Sequence, residues 1–353
     1  MAHSRVRHRP LRILTVTGAY PAEYRPHWGT FIKSQVDSLI AQGLEVEVIR
    51  PKPGPMPLRY ATAVAQVFLK TLSGRYDVVH GHYGLWCLVA RLQWTTPVVA
   101  SFLGSDLLGA PTADGGNTRK GALVVRVSQW LSRWVDAVIV KSEQMRRLTP
   151  AKNVFIIPNG VDFKLFRPAP RAEARAALGW RQDGYYVLFG NDPNLPRKGY
   201  PLALAAIERL QGRGIAAELV VANGLTQTEV VQRINACNAL LLTSIHEGSP
   251  NIVKETMACN VPVVSTDVGD VKQVIGHTQG CGVCLRDPEA LAIGLEQALR
   301  RQAPTTGRID ISHLERSVVA RQVIAVYEDA IGGMARADAQ SQPEKESRHV
   351  ETA

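Results

Sequence analysis

The sequence predicts an α/β protein of two parallel-sheet domains, and three observations predict it. Short β-rich apolar runs alternate with amphipathic helical stretches along the chain. The alternation restarts after Pro168, which makes two units rather than one. A length of 353 residues lets each unit bury its own core.

Residues 12–17, 45–50, 77–79, 98–102, 137–140 and 154–157 read as the strands of the first unit, with helical patterns such as 31–42 between them. Strands joined by helices run parallel, with helices on both faces, and ligands then bind beyond the strands' carboxyl ends. Residues 186–189, 218–221, 239–242, 261–264 and 282–285 form the second strand set; 200–211, 228–235, 250–259 and 288–300 are its helices. The stretch 167–174, with two prolines, reads as the linker. Ser312 and Glu315 have the spacing of a capping box and open a last helix to about residue 331. The domains expected are therefore 1–170 and 171–311, then a helix at 312–331 packing back on the first domain. Residues 332–353 are polar and expected to be disordered.

Composition narrows the function. With 45 % apolar and 20 % charged residues the chain is globular. No apolar run reaches the roughly 18–20 residues of a membrane span. The basic start is followed by an apolar stretch at 11–16 that is too short for a signal-peptide core, so the expected location is the cytoplasm. Five scattered cysteines argue against a disulfide framework; Cys281 and Cys284 lack a second pair and read as buried structural thiols. His80 and His82 have no evident third ligand and read as cleft lining, so no metal is expected.

The net charge of +10 is uneven: residues 1–170 carry 22 Lys and Arg against 10 Asp and Glu, and the rest 19 against 21. A basic half points to an anionic partner or to a plain solvated surface. The stretch 119–135 sets Arg126 and Arg133 among Trp130, Trp134 and apolar residues. Such a helix suits either core packing or peripheral contact with an anionic membrane at its inner face, and the basic arm Arg5, Arg7, His8 and Arg9 adds to the second.

The chemistry concentrates in residues 241–267, LLTSIHEGSPNIVKETMACNVPVVSTD. A buried strand ends at Leu242, a polar loop follows, and Ser249 is placed to cap a helix opening at Pro250. The free N–H groups of a helix start attract phosphate. Glu247 precedes that helix and Glu255 lies on it, so one carboxylate is at the mouth of the anion site and one is farther along. A nucleotide sugar calls for both features: amides for its diphosphate and carboxylates for its hydroxyls.

Glu247 and Glu255 enclose seven residues, and HEGSPNIVKETMACNVPVVSTDVGD resembles retaining glycosyltransferase family 4 in its bacterial exopolysaccharide and teichuronic-acid type members. YPAEYRPHWGTFIKSQVDSL, DVVHGHYG, VIVKSEQMRRL and IIPNGVDFKLFRP agree, so the resemblance spans roughly residues 11–331. It implies the GT-B fold, two facing Rossmann-like domains with a cleft between them. It also implies transfer of a hexose-type sugar from a nucleotide-diphosphate sugar to a glycan or lipid-linked acceptor, with no metal, no cofactor and no nucleic acid.

The resemblance carries roles over residue by residue. Glu255 is expected on the donor ribose and Glu247 near the transferred sugar. The backbone of Gly248, Ser249, Pro250 and Asn251 is expected around hydroxyls and phosphate, and Lys198 on the leaving diphosphate. A fixed cation there stabilises charge growing on the leaving oxygen. The chain departs from the pattern twice. Asn191 stands where the family has an arginine, leaving Arg197 as the candidate second charge. Leu103 stands where the family often has a histidine, leaving Ser105 and Asp106 as the polar groups, with Asp106 a sugar contact or a helix cap. Gly29 and Thr30, after Pro26, His27 and Trp28, open the first helix in a loop expected over the diphosphate. Two other classes compete: a nucleotide-sugar epimerase of the same fold and a non-catalytic glycan-binding relative. A dinucleotide dehydrogenase is disfavoured, since no G-x-G-x-x-G follows the first strand.

Overall fold

The computed structural model describes residues 9–341 except Tyr24, Pro26, Lys52, 112–115 and Gln302. The first six strands are β1 (Arg12–Thr17), β2 (Glu45–Ile49), β3 (Val78–His82), β4 (Val98–Ser101), β5 (Ala137–Val140) and β6 (Val154–Ile156). They form one parallel sheet in the order β2-β1-β3-β4-β5-β6. The next five are β7 (Tyr185–Phe189), β8 (Ala217–Val221), β9 (Ala239–Leu242), β10 (Val263–Thr266) and β11 (Gly282–Cys284). They form a second parallel sheet, β11-β10-β9-β7-β8. This is the two-domain α/β architecture of the GT-B class.

Each sheet reverses its direction of growth once, between β1 and β3 and between β7 and β9. At such a point the connections leave to opposite faces and open a crevice beyond the strand ends. Central strands are wholly buried: β3, β4, β5, β9 and β10 have no exposed residue. Their near-continuous apolar sequences are what burial on both faces requires.

The chain crosses between domains twice, and the crossings lie side by side. Val161 N donates to the Leu314 carbonyl at 2.9 Å, and Arg316 N donates to that of Val161 at 2.9 Å. Arg316 also pairs with Asp162 at 2.6 Å. A side chain at Gly160 would put its Cβ 2.7 Å from Arg316 Cα, so the close approach needs glycine there. Val161 and Phe166 pack in the second domain's core, which places the first crossing before residue 161, earlier than the boundary expected at 170. The expected linker 167–174 is partly helix, from Arg171 to Leu178.

The last helix, Arg316–Ser341, runs past the end expected near residue 331, so residues 332–341 are helical; 342–353 lie outside the described residues. Val319, Val323, Val326 and Tyr327 join Ile13, Leu39, Val78 and Val99 in the core of the first domain. The expected capping box does not form. Ser312–Leu314 is a turn of 3-10 helix, and Glu315 accepts instead from the Ser317 backbone at 2.7 Å. The histidines also differ from expectation. His80 is core, its Nδ1 2.6 Å from the Tyr327 hydroxyl and its Nε2 2.8 Å from Ser101 Oγ. His82 is buried beside it, and burial drives its pKa down to about 3. Neither lines the cleft, because β3 extends to His82 and both are buried, His80 against Tyr327 of the last helix.

Candidate active site

The ends of β1, β3 and β9 line one chamber, while Gly190 and Asn191 after β7 lie outside its lining. Thr17 ends β1 and Gly18 follows it, Tyr83 follows β3, Gly190-Asn191 follows β7 and Thr243–Gly248 follows β9. The chamber has a volume of about 600 Å³. The first domain lines it with Gly18, Trp28, Gly29, Tyr60, Trp86 and the 103–105 loop; the second with Arg197, His246, Glu247 and Gly248.

Glycine is required on the first-domain side. A Cβ on Gly18 would fall 2.0 Å from Trp86 Nε1. Gly29 has φ 75°, and a Cβ there would be 2.3 Å from the Ala19 carbonyl oxygen. Thr30 opens the Thr30–Ala41 helix and does not line the chamber; Pro26 of this loop lies outside the described residues. Asp106 needs a correction as a sugar contact. Its side chain is fully buried and accepts from the backbone N–H of Leu103 at 3.0 Å, Gly104 at 2.8 Å and Gly84 at 3.2 Å. It shapes the loop that the chamber sees. Burial raises its pKa, opposed by those amides.

The second domain supplies the charge. Lys198 ends the short Pro196–Lys198 turn, and Thr243 Oγ1 donates to the Lys198 and Gly199 carbonyls at 3.0 and 2.9 Å, pinning the turn against the β9 loop. Lys198 Nζ is 2.5 Å from Glu247 Oε1, with both side chains nearly buried. Burial lowers the Lys198 pKa, while Glu247 opposes the shift. Ser244 Oγ donates to the same Glu247 oxygen at 2.7 Å. Arg197 is 3.8 Å from Glu247 Oε2 and faces the chamber, so it does point inward. Asn191 Nδ2 is buried at the end of β7 without a hydrogen-bond partner, and so is His246 Nε2. Unsatisfied buried polar atoms of this kind are costly and suit a site that a ligand completes.

Across the cleft the domains touch. A Cβ on Gly248 would lie 2.8 Å from the Leu103 carbonyl oxygen, so backbone meets backbone there. Beyond it, the helix is Asn251–Ala258 with Pro250 as its cap residue and no side-chain cap. Ser249 therefore does not cap it as expected. Its hydroxyl donates to Asp270 Oδ2 at 2.6 Å and accepts from Lys254 Nζ at 2.9 Å. Asn251 Oδ1 accepts from Asn159 Nδ2 at 3.2 Å. Glu255, farther along the helix, is outside the chamber, and burial raises its pKa to about 7 against the pull of Lys254.

Sequence reasoning passed over one cluster here. Lys254 is fully buried and also donates to the Asn159 carbonyl at 2.9 Å. Lys141, after β5, donates to the Ile157 carbonyl at 3.1 Å. Burial takes these lysines down to about 8 and about 7. Asp270 Oδ1 has no partner. The available signal was a lone lysine in the otherwise buried run Ile252, Val253, Thr256 and Met257. Among the described residues, no three His, Cys, Asp or Glu gather as a metal site. None of their helices is long and apolar enough to cross a membrane.

Comparison with known proteins follows this geometry. Residues 7–160 match the family described as Glycosyl transferase 4-like domain, and residues 174–301 match Glycosyl transferases group 1. A D-inositol 3-phosphate glycosyltransferase from Thermobispora bispora is 26 % identical, over 73 % of this chain and 72 % of its own. A putative teichuronic acid biosynthesis glycosyltransferase, TuaC of Bacillus subtilis, is 25 % identical over 80 % of this chain and 87 % of its own. The structure of a sucrose-phosphate synthase from Thermosynechococcus elongatus superposes with a TM-score of 0.71 at 20 % identity, covering 92 % of this chain and 99 % of that one.

Proposed function

Since this chain belongs to the family 4 type of glycosyltransferases, with a 4-like domain followed by a group 1 domain, we propose that it moves a hexose-type sugar from a nucleotide-diphosphate sugar to a glycan or lipid-linked acceptor. The transfer retains anomeric configuration, uses no divalent metal and serves cell-surface polysaccharide synthesis. The observation that carries the reading is the Lys198–Glu247 pair at the second switch point, whose Glu247 lines the chamber opposite the first domain's aromatic residues. The TuaC relative's name supports the polysaccharide role.

In this reading the donor lies on the second domain. Glu255 accepts hydrogen bonds from the ribose, and the backbone of 248–251 meets the phosphates and sugar. Asn191 Nδ2 gains the acceptor it lacks. Lys198 exchanges Glu247 for the diphosphate, with Arg197 beside it. The C1–O bond to phosphate breaks as the acceptor oxygen attacks the same face, and the acceptor proton passes to the departing phosphate oxygen. Lys198 and Arg197 stabilise that oxygen, the task a metal ion performs elsewhere. Glu247, released, accepts from a sugar hydroxyl. Burial lowers the His246 pKa below its ordinary value, so the ring is neutral at pH 7.

The test is proton NMR of the transfer product, formed with EDTA present. An α-linked donor should give an α product at an undiminished rate. A β product, or activity lost and then restored by magnesium or manganese, overturns the reading.

A further inference from the structure

Beside the chamber is a second pocket, about 250 Å³, on the side away from Glu247. The two share Gly18, Arg25, Trp28 and Arg59, so they adjoin. Among the described residues its cations are Arg25, Arg50 and Arg59, and no carboxylate lines it.

Among the described residues the three guanidinium groups have no acidic partner, as is also true of Arg75, Arg91, Arg119, Arg126 and Arg133, but only these three gather round one pocket of this kind. Arg9 pairs with Asp77, Arg12 with Glu45, and Arg146 and Arg147 with Glu143. In the pocket, Arg25 lies 5.9 Å from the Trp28 ring centre and Arg50 lies 6.0 Å from that of Tyr20. Arg50 also donates to the Pro21 carbonyl at 3.2 Å. Arg59 reaches only the Met56 sulfur at 3.4 Å, and its buried Nε has no partner. Asp37, a nearby carboxylate, is held by Lys33 at 2.6 Å. Three like charges around one cavity repel, and a buried N–H without an acceptor costs free energy. A bound anion relieves both. Guanidinium forks fit phosphate oxygens in pairs, and three of them exceed what one carboxylate would balance.

We propose that the acceptor carries a phosphate or diphosphate, held by Arg25, Arg50 and Arg59 while its sugar or hydroxyl end reaches through the aromatic chamber toward Glu247. This rests on the reading of the chamber as the acceptor side. The donor's own diphosphate has Lys198 and Arg197 on the opposite domain, so these arginines serve a second anion. Trp28, Tyr60 and Trp86 between the two ends offer faces to a sugar ring or an isoprenyl chain. The anion has two sources, a lipid-linked diphosphate or a soluble sugar phosphate.

Titration calorimetry on the full chain tests this with matched probes: geranyl diphosphate against geraniol, myo-inositol 1-phosphate against myo-inositol, and glucuronate against glucose. Each phosphorylated probe that binds should do so at least about tenfold more tightly than its alcohol, and Arg50→Gln and Arg59→Gln should each remove about tenfold. Arg59→Lys, which keeps the charge but loses the fork, should fall between. A lead for geranyl diphosphate identifies the lipid-linked source, and a lead for inositol phosphate the soluble one. Equal affinity for phosphorylated and plain probes, no binding of any probe, or a preference for glucuronate overturns the proposal. So does unchanged phosphate affinity in either glutamine variant with a wild-type melting temperature. Nucleoside diphosphate affinity, measured alongside, should stay within about twofold in the arginine variants. If no nucleoside diphosphate binds while the phosphate preference persists, the donor reading fails and the pocket stands.

Discussion

Glu255, the proposed ribose contact, sits where burial works against stability. Burial holds its carboxyl near pH 7, above the ordinary value of 4.5, so the folded protein keeps a proton there that the unfolded chain has released. Stability from this group is full below about 4.5, falls as pH rises to about 7, and stays low above that. Replacing it with Gln should therefore stabilise the protein at pH 8, by on the order of 2–3 kcal/mol, with little change at pH 4. Urea titrations at the two pH values check this. Function should move the other way: kcat/KM for the donor should fall on the acid side with an apparent pKa near 7, and Glu255→Gln should lose that limb with most of its activity. A pH-independent stability difference would contradict the assignment.

At the scale of elements, the Asn251–Ala258 helix is tied through one lysine to the first crossing and to the loop before the helix. Lys254 holds the Asn159 carbonyl and Ser249, and Ser249 holds Asp270. Lys254→Met leaves a buried carboxylate without its compensating charge, a loss of on the order of 2–4 kcal/mol. Adding Asp270→Asn should recover part of it, because the two sites share a partner. Additive losses in denaturant titrations would show that the cluster is not coupled. The strands were readable because buried parallel strands print continuous apolar runs, and nearly every one lies within two residues of its expected place. The caps were not. Ser249 and Ser312 have capping chemistry, but tertiary partners claim Ser249, and a 3-10 turn takes Ser312. His80 and His82 read as cleft residues, but both are buried, and His80 bonds to Tyr327 on a helix more than two hundred positions away. Arg197 was a charge of unknown direction; its orientation comes from the turn pinned by Thr243. Local patterns carry the elements and the motif, whereas partners distant in sequence decide which polar groups face the chamber.

At the scale of the molecule, the charge asymmetry takes a definite surface. Trp130 and Trp134 are more than half exposed, near Arg126 and Arg133, and Leu123, Trp94, Phe68, Leu69 and Leu72 are exposed elsewhere on the same domain. Of the basic arm, Arg9 is used in an ion pair, while Arg5, Arg7 and His8 lie outside the described residues. We propose reversible docking of this domain on an anionic membrane, which suits a lipid-linked acceptor. Co-sedimentation with anionic vesicles should be strong at low salt and weak at high salt, because exposed charges are screened over about 8–10 Å at physiological strength. Arg126→Glu with Arg133→Glu should release the protein while leaving nucleotide affinity intact. Equal binding to neutral and anionic vesicles would contradict this.

The central claim, a nucleotide-sugar donor held on the second domain without metal, has a direct test. Calorimetric titration of a panel of nucleoside diphosphates, in EDTA, should show at least one binding to the wild-type protein. Lys198→Ala and Glu255→Ala, each folded, should both weaken it by about tenfold or more. No binding across the panel, or full affinity in both variants, would contradict the account.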